Sequence, residues 1–107
     1  MDAVEEQVRA YNAGDAEAFA KCYAPDVVVE DADGNVVLSG RSSLHDHYAK
    51  LFAGAPNLHA KVITRIHVGS FVIDEEHVTG GPRGDIHAVA VYRINSEGLI
   101  NRVQFLR

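Results

Sequence analysis

Tryptophan is absent from this chain of 107 residues, and cysteine occurs once, at Cys22. A single cysteine cannot close an intrachain disulfide, so nothing points to an oxidising compartment. Inside a helical stripe it reads as a small buried apolar residue. Positive charge is also scarce: ten Lys and Arg against fifteen Asp and Glu leave a net charge of -5. Those ten are scattered, and without a basic stripe there is no surface to release counterions from phosphate, which argues against nucleic acid as a partner. No apolar run approaches the roughly 20 residues that cross a bilayer. The opening "MDAVEEQ" is acidic and amphipathic, unlike a secretion signal, so a cytoplasmic, soluble protein with no membrane partner is expected.

Metal-ligand spacing is missing as well, although there are six histidines. His45 and His47 are two apart, and on a helix they point in nearly opposite directions. His59 and His67 share a strand face but lie about 26 Å apart along it. No three ligands have zinc spacing, and neither a metal nor another cofactor is expected. "GGPRG" has glycines without a strand-to-helix switch, which makes it a hairpin loop and not a phosphate cradle.

What is present is a hydrophobic fraction of 47% in a length that suits one domain, residues 1–107. Val4, Val8 and Tyr11 fall at i, i+4 and i+7, an amphipathic helix with Asp2 and Glu5 at its start. "NAGD" stops it and starts a second helix, "AEAFAKCYA", expected to end before Pro25. "VVVE" and "VVLSG" are then short strands around the turn "DADGN". A third helix follows in "GRSSLHDHYAKLFAG", with Ser42 or Ser43 expected as its cap and Leu44, Tyr48, Leu51 and Phe52 on its core face. From Asn57 onward, four runs of alternating residues with short connections predict an antiparallel meander. The order α-α-β-β-α-β-β-β-β predicts an α+β fold, a strongly curved, mostly antiparallel sheet wrapped around three helices.

With "YNAGD", "CYAPDVVVED", "LHDHYAKLF" and "GLINRVQFLR" in this order, the chain resembles the nuclear transport factor 2-like superfamily over essentially its whole length. Within it, the SnoaL-like and ketosteroid-isomerase-like members are the nearest resemblance. That resemblance implies a cone-shaped domain with an apolar cavity open at one end, a small hydrophobic ligand, and a homodimer packed through the sheet. It leaves activity open, because the superfamily holds isomerases, cyclases, hydrolases and non-catalytic binding modules. In ketosteroid isomerases an aspartate at the corresponding strand end shuttles a proton, assisted by a tyrosine and a protonated acid. The aligned base is Asp31. The two donor positions fall at Gln7 and at or near Ala90, so steroid isomerisation by that mechanism is not expected.

Asp31 is the candidate catalytic residue, with two readings. By alternation it shares the face of Val27 and Val29, where an isolated carboxylate in an apolar cone suits proton transfer. Alternatively it accepts N–H bonds at the start of the turn. The expected ligand-lining set is Phe19, Tyr23, His47, Tyr48, His77, Ala90, Tyr92, Val103 and Phe105. Tyr48 also lies on a core stripe, and Phe19 and Tyr23 read equally as core filler. Along "IDEEHVT", alternation puts Asp74, Glu76 and Val78 on one face and Glu75, His77 and Thr79 on the other. Which face lines the interior stays open. Arg65 is placed to pair with one of these acids, and an Asp31–Arg65–Asp74 arrangement would resemble the water-holding site of epoxide hydrolases in this superfamily. Two functions follow: cofactor-independent acid–base chemistry with Asp31 as base, or a ligand-binding or dimerisation module in which Asp31 only caps a turn.

Overall fold

The computed structural model describes residues 2–107, and among these it contains three helices and six strands. Helix α1 (Ala3–Ala13) starts where the Asp2 carboxylate accepts the N–H groups of Val4 and Glu5. It ends at Gly14, whose φ of 68° is the left-handed conformation that glycine adopts without steric cost. Its buried stripe is Ala3, Val4, Gln7 and Ala10, with Val8 and Tyr11 at the margin. Helix α2 (Ala16–Ala20) is capped by Asp15 and is shorter than its sequence pattern suggests. Strand β1 (Tyr23–Glu30) begins before Pro25, not after it. This is tolerated because the pairing of β1 skips between Tyr23 and Val28, where a missing N–H breaks no ladder bond.

Strand β2 (Val36–Ser39) returns along β1, and helix α3 (Arg41–Gly54) follows. Its N-cap is Gly40 without any side-chain cap, because Ser42 and Ser43 already lie inside the first turn. The Gly40 N–H donates to the Val27 carbonyl at 2.7 Å and ties the helix start to β1. The meander then runs through β3 (His59–Val68), β4 (Phe71–Thr79), β5 (Ile86–Ile94) and β6 (Ile100–Leu106). The sheet order is β2-β1-β6-β5-β4-β3, with β1 and β6 parallel and every other pair antiparallel. The sheet is curved and not closed, with the helices on its concave side, which is the α+β arrangement read from the sequence.

A bulge in β3 sets the chemistry of that concave side. Ala60 and Val62 oppose Val78 and Glu76, but the register shifts before Thr64, which opposes Glu75. Simple alternation puts Arg65 on the face opposite Val62. The extra residue flips it inward, directly across from Asp74. On β4 the buried face is Val72, Asp74 and Glu76, leaving Glu75 and His77 outside. Across the sheet, Asp74 aligns with Ala90 and then Phe105, and Val72 with Tyr92 and then Val103.

Candidate functional site

Two carboxylates sit in the concave face, and their surroundings differ. Asp74 has no exposure and is held by Arg65 in a two-pronged pair, Nε to Oδ1 at 2.7 Å and Nη2 to Oδ2 at 2.9 Å. The same guanidinium also binds Glu5, clasping the first turn of α1 to the sheet. These bonds to Asp74, with Glu5 adding to them, push the Arg65 pKa up and keep it charged. A buried charge of this kind is tolerated because both oxygens of Asp74 are paired.

Glu76, two residues on and 7% exposed, has no such arrangement. Among the described residues no group donates a hydrogen bond to it, and its carboxylate keeps a sliver of exposure. Burial first, and the Asp74 charge second, push its pKa from 4.5 up to about 7, against the opposing charges of Arg65 and Arg107. Near neutrality such a carboxylate exists in both forms, which is the condition for general acid–base work.

The charge of Glu76 acts on two tyrosine hydroxyls without hydrogen-bond partners among the described residues, those of Tyr11 on α1 and Tyr48 on α3. Burial raises the Tyr11 pKa to about 12 and that of Tyr48 further, and the charge of Glu76 adds to both. Their rings belong to one aromatic cluster. Tyr11 meets Phe52 edge-on at 5.4 Å and Tyr48 at 6.3 Å, and Phe19 packs on Tyr48 at 4.5 Å and Tyr23 at 4.9 Å. The C-terminal halves of α1 and α3 meet through these rings, and α1 reaches the start of β3. Asn12 closes one side with a pair of bonds to the Ala60 backbone, at 2.7 and 3.0 Å. Between the helix ends a cleft of about 270 Å³ opens, lined by residues 11–14 together with Phe52, Ala55, Pro56 and Leu58; of the residues around Glu76 it reaches Tyr11, and Glu76 itself is not in its wall. That volume is just below the usual range for ligand pockets.

The opposite, inner end is sealed. The Tyr23 hydroxyl donates to Gln7 Oε1, and Gln7 Nε2 donates to the Tyr92 hydroxyl, each at 3.1 Å. All three residues are buried. Gln7 thus satisfies two tyrosines in the place where the superfamily resemblance would put a donor to substrate.

The family model for the SnoaL-like domain matches residues 4–103. The chain belongs to the SnoaL-like family. No curated protein matches it. A crystal structure of an uncharacterized cystatin-fold protein from Novosphingobium aromaticivorans superimposes with a TM-score of 0.91 at 29% identity, covering 98% of this chain and 95% of that one. A putative polyketide cyclase from Sinorhizobium meliloti gives 0.83 at 22% identity, over 99% and 94%. The Δ5-3-ketosteroid isomerase from a Mycobacterium species gives 0.82 at 21%, over 98% and 89%. At these identities the last two establish the fold and leave the chemistry to the site.

In this SnoaL-like domain Asp31 stands apart from Glu76 and Asp74. β1 ends at Glu30, so alternation stops before it decides the direction of Asp31. Its N–H bonds to the Asn35 carbonyl, and its carboxylate accepts the N–H groups of Asn35 at 2.9 Å and Asp33 at 3.0 Å. Those bonds, the one from Asn35 foremost, lower its pKa. This is the turn geometry, the second of the two readings. Three strands separate β1 from β3, about 19 Å at ordinary strand spacing, so Asp31 does not join Arg65 and Asp74.

Of the ligand-lining set, Tyr48 and the half-buried Phe105 lie at the open end, and the exposed His47 ring stacks edge-on to Tyr48 at 5.1 Å. Phe19, Tyr23, Tyr92, Ala90 and Val103 are buried within the concave core. His77 is on the outer face, exposed, 4.0 Å from Asp85. Glu76, buried on the concave face, is outside that set. Alternation groups it with Asp74, and the signal that would have turned both inward is the one-residue bulge in β3. Among the described residues no group of three His, Cys, Asp or Glu is placed to hold a metal ion. No helix is long and apolar enough to cross a membrane.

Proposed function

We propose that this SnoaL-like domain binds a small hydrophobic molecule at the open end of its cone and moves a proton on it, with Glu76 as the acceptor. The observation that carries the reading is a buried carboxylate with no donor from the fold, next to a second carboxylate that is fully paired. A carboxylate with little solvent contact and no hydrogen-bond donor from the fold is costly for stability, so its placement favours a role in chemistry. The free hydroxyls of Tyr11 and Tyr48 supply donors for a polar atom on the ligand. The likeness to a putative polyketide cyclase and to a ketosteroid isomerase supports the same class of apolar, carbonyl-bearing molecule. Asp31, occupied by its turn, is the weaker base.

Exchange of the methyl protons of 2-acetylnaphthalene into D2O, followed by NMR, tests this. The wild type is expected to accelerate exchange and Glu76→Gln to abolish the acceleration. The dense aromatic packing behind the cleft favours one second reading, a binding module without catalysis. Binding of the ketone with no acceleration of exchange would establish that module and remove the proton-transfer step.

The outer sheet face carries Ile66, Val68, Phe71 and Leu106 exposed, with Ile73, Val89 and Val91 half-buried among them. We read this surface as the one through which two copies pair, as the superfamily resemblance implies.

A further inference from the structure

The open end has one more charged group. Arg107 extends from the end of β6 along the row of Val103 and Phe105, and its guanidinium carbon lies 5.3 Å from the centre of the Phe105 ring. Phe105 is in register with Ala90 and Asp74, so this cation stands at the rim of the concave face that holds Glu76. Burial raises the pKa of Tyr11, Tyr48 and Glu76, and the charge of Arg107 opposes the rise in all three, so its field reaches each of them. The cation within this face, Arg65, is by contrast engaged: it binds Asp74 and Glu5. Among the described residues Arg107 has no ion-pair partner, and it is exposed. In a chain of net charge -5, an unpaired cation against an aromatic ring at the rim of this face is a selective feature.

We propose that Arg107 is the anion anchor of the site, so that its ligand is an aromatic or alicyclic organic acid with the carboxylate at the rim. The apolar body enters between Tyr11, Tyr48 and Phe105, and Glu76 faces the end remote from the carboxylate. This orientation keeps the two negative groups apart, with Arg107 between the ligand acid and solvent. The inference rests on the placement of the site at Glu76 and adds the charge of the ligand and its direction of entry.

Calorimetric titration with two probes of the same ring system, 2-naphthoate and 2-acetylnaphthalene, separates the possibilities. The wild type is expected to prefer the acid by roughly fivefold, the scale of one partly exposed charge pair. In Arg107→Gln that preference falls to near parity, and Arg107→Lys keeps most of it. A wild type without preference, or a preference that survives Arg107→Gln, overturns the anchor while leaving the site at Glu76 standing. If Glu76→Gln changes the affinity for neither probe, or if neither probe binds, the site reading itself fails and the anchor with it.

Discussion

Replacing Glu76 by Gln should stabilise the protein above neutral pH, and the amount follows from its surroundings. The fold raises this carboxyl from 4.5 to about 7, so the folded state holds the proton more tightly than the unfolded chain. Stability from this group is therefore fully present below the unfolded pKa and is lost as pH rises toward 7, where the folded group ionises too. At about 1.4 kcal/mol per pH unit between the two pKa values, ionised Glu76 costs about 3 kcal/mol. Gln has the same shape without the charge. Urea unfolding followed by circular dichroism, run from about pH 4 to about pH 8, should show Glu76→Gln gaining about 2–3 kcal/mol on the wild type at the upper end. The gain should shrink toward zero at the lower end. Comparing the two proteins at each pH cancels the opposite trend from Asp31 and Glu75, whose lowered pKa values favour folding as pH rises. A difference that does not change with pH, or a mutant less stable than wild type at about pH 8, would refute the reasoning.

Arg65→Met leaves the Asp74 charge buried without a partner and should cost about 3–5 kcal/mol in the same assay; a loss under about 1 kcal/mol would mean that solvent reaches Asp74 freely. Asp31→Asn should leave deuterium exchange of 2-acetylnaphthalene at the wild-type rate, and a loss matching that of Glu76→Gln would return the base to the turn. Sedimentation should give the mass of a dimer, and Ile66→Lys should shift it toward the monomer; a wild-type monomer at high concentration would remove the sheet face as an interface.

The fold was legible because each element carries local punctuation. Asp2 and Asp15 cap helices, Gly14 ends one, and four alternating runs form the meander in sequence order. The end of α2 was not, because Pro25 reads as a stop after a helix when it lies inside a strand at a skipped pairing. The site was only half legible. Alternation sorted β4 correctly into two faces, but Val72 and Val78 on one and Phe71 and Ile73 on the other gave it no preferred inside. The outer face of this sheet is itself apolar, at Ile66, Val68 and Phe71, which removes the contrast that normally orients a strand. Arg65 would have settled the matter, yet its inward direction depends on the bulge before Thr64, and no residue type there announces one. Asp31 misleads for a related reason: alternation extends to it on paper, while the chain has already left the strand.

A carbon-13 NMR titration of the side-chain carboxyl of Glu76 tests the central claim most directly. Proton transfer by this residue requires that the apo protein hold it near neutrality, so the account expects a midpoint at about 7. A midpoint near the ordinary glutamate value of about 4.3 would mean that water solvates the carboxylate, and Glu76 would then be a surface acid with no special role.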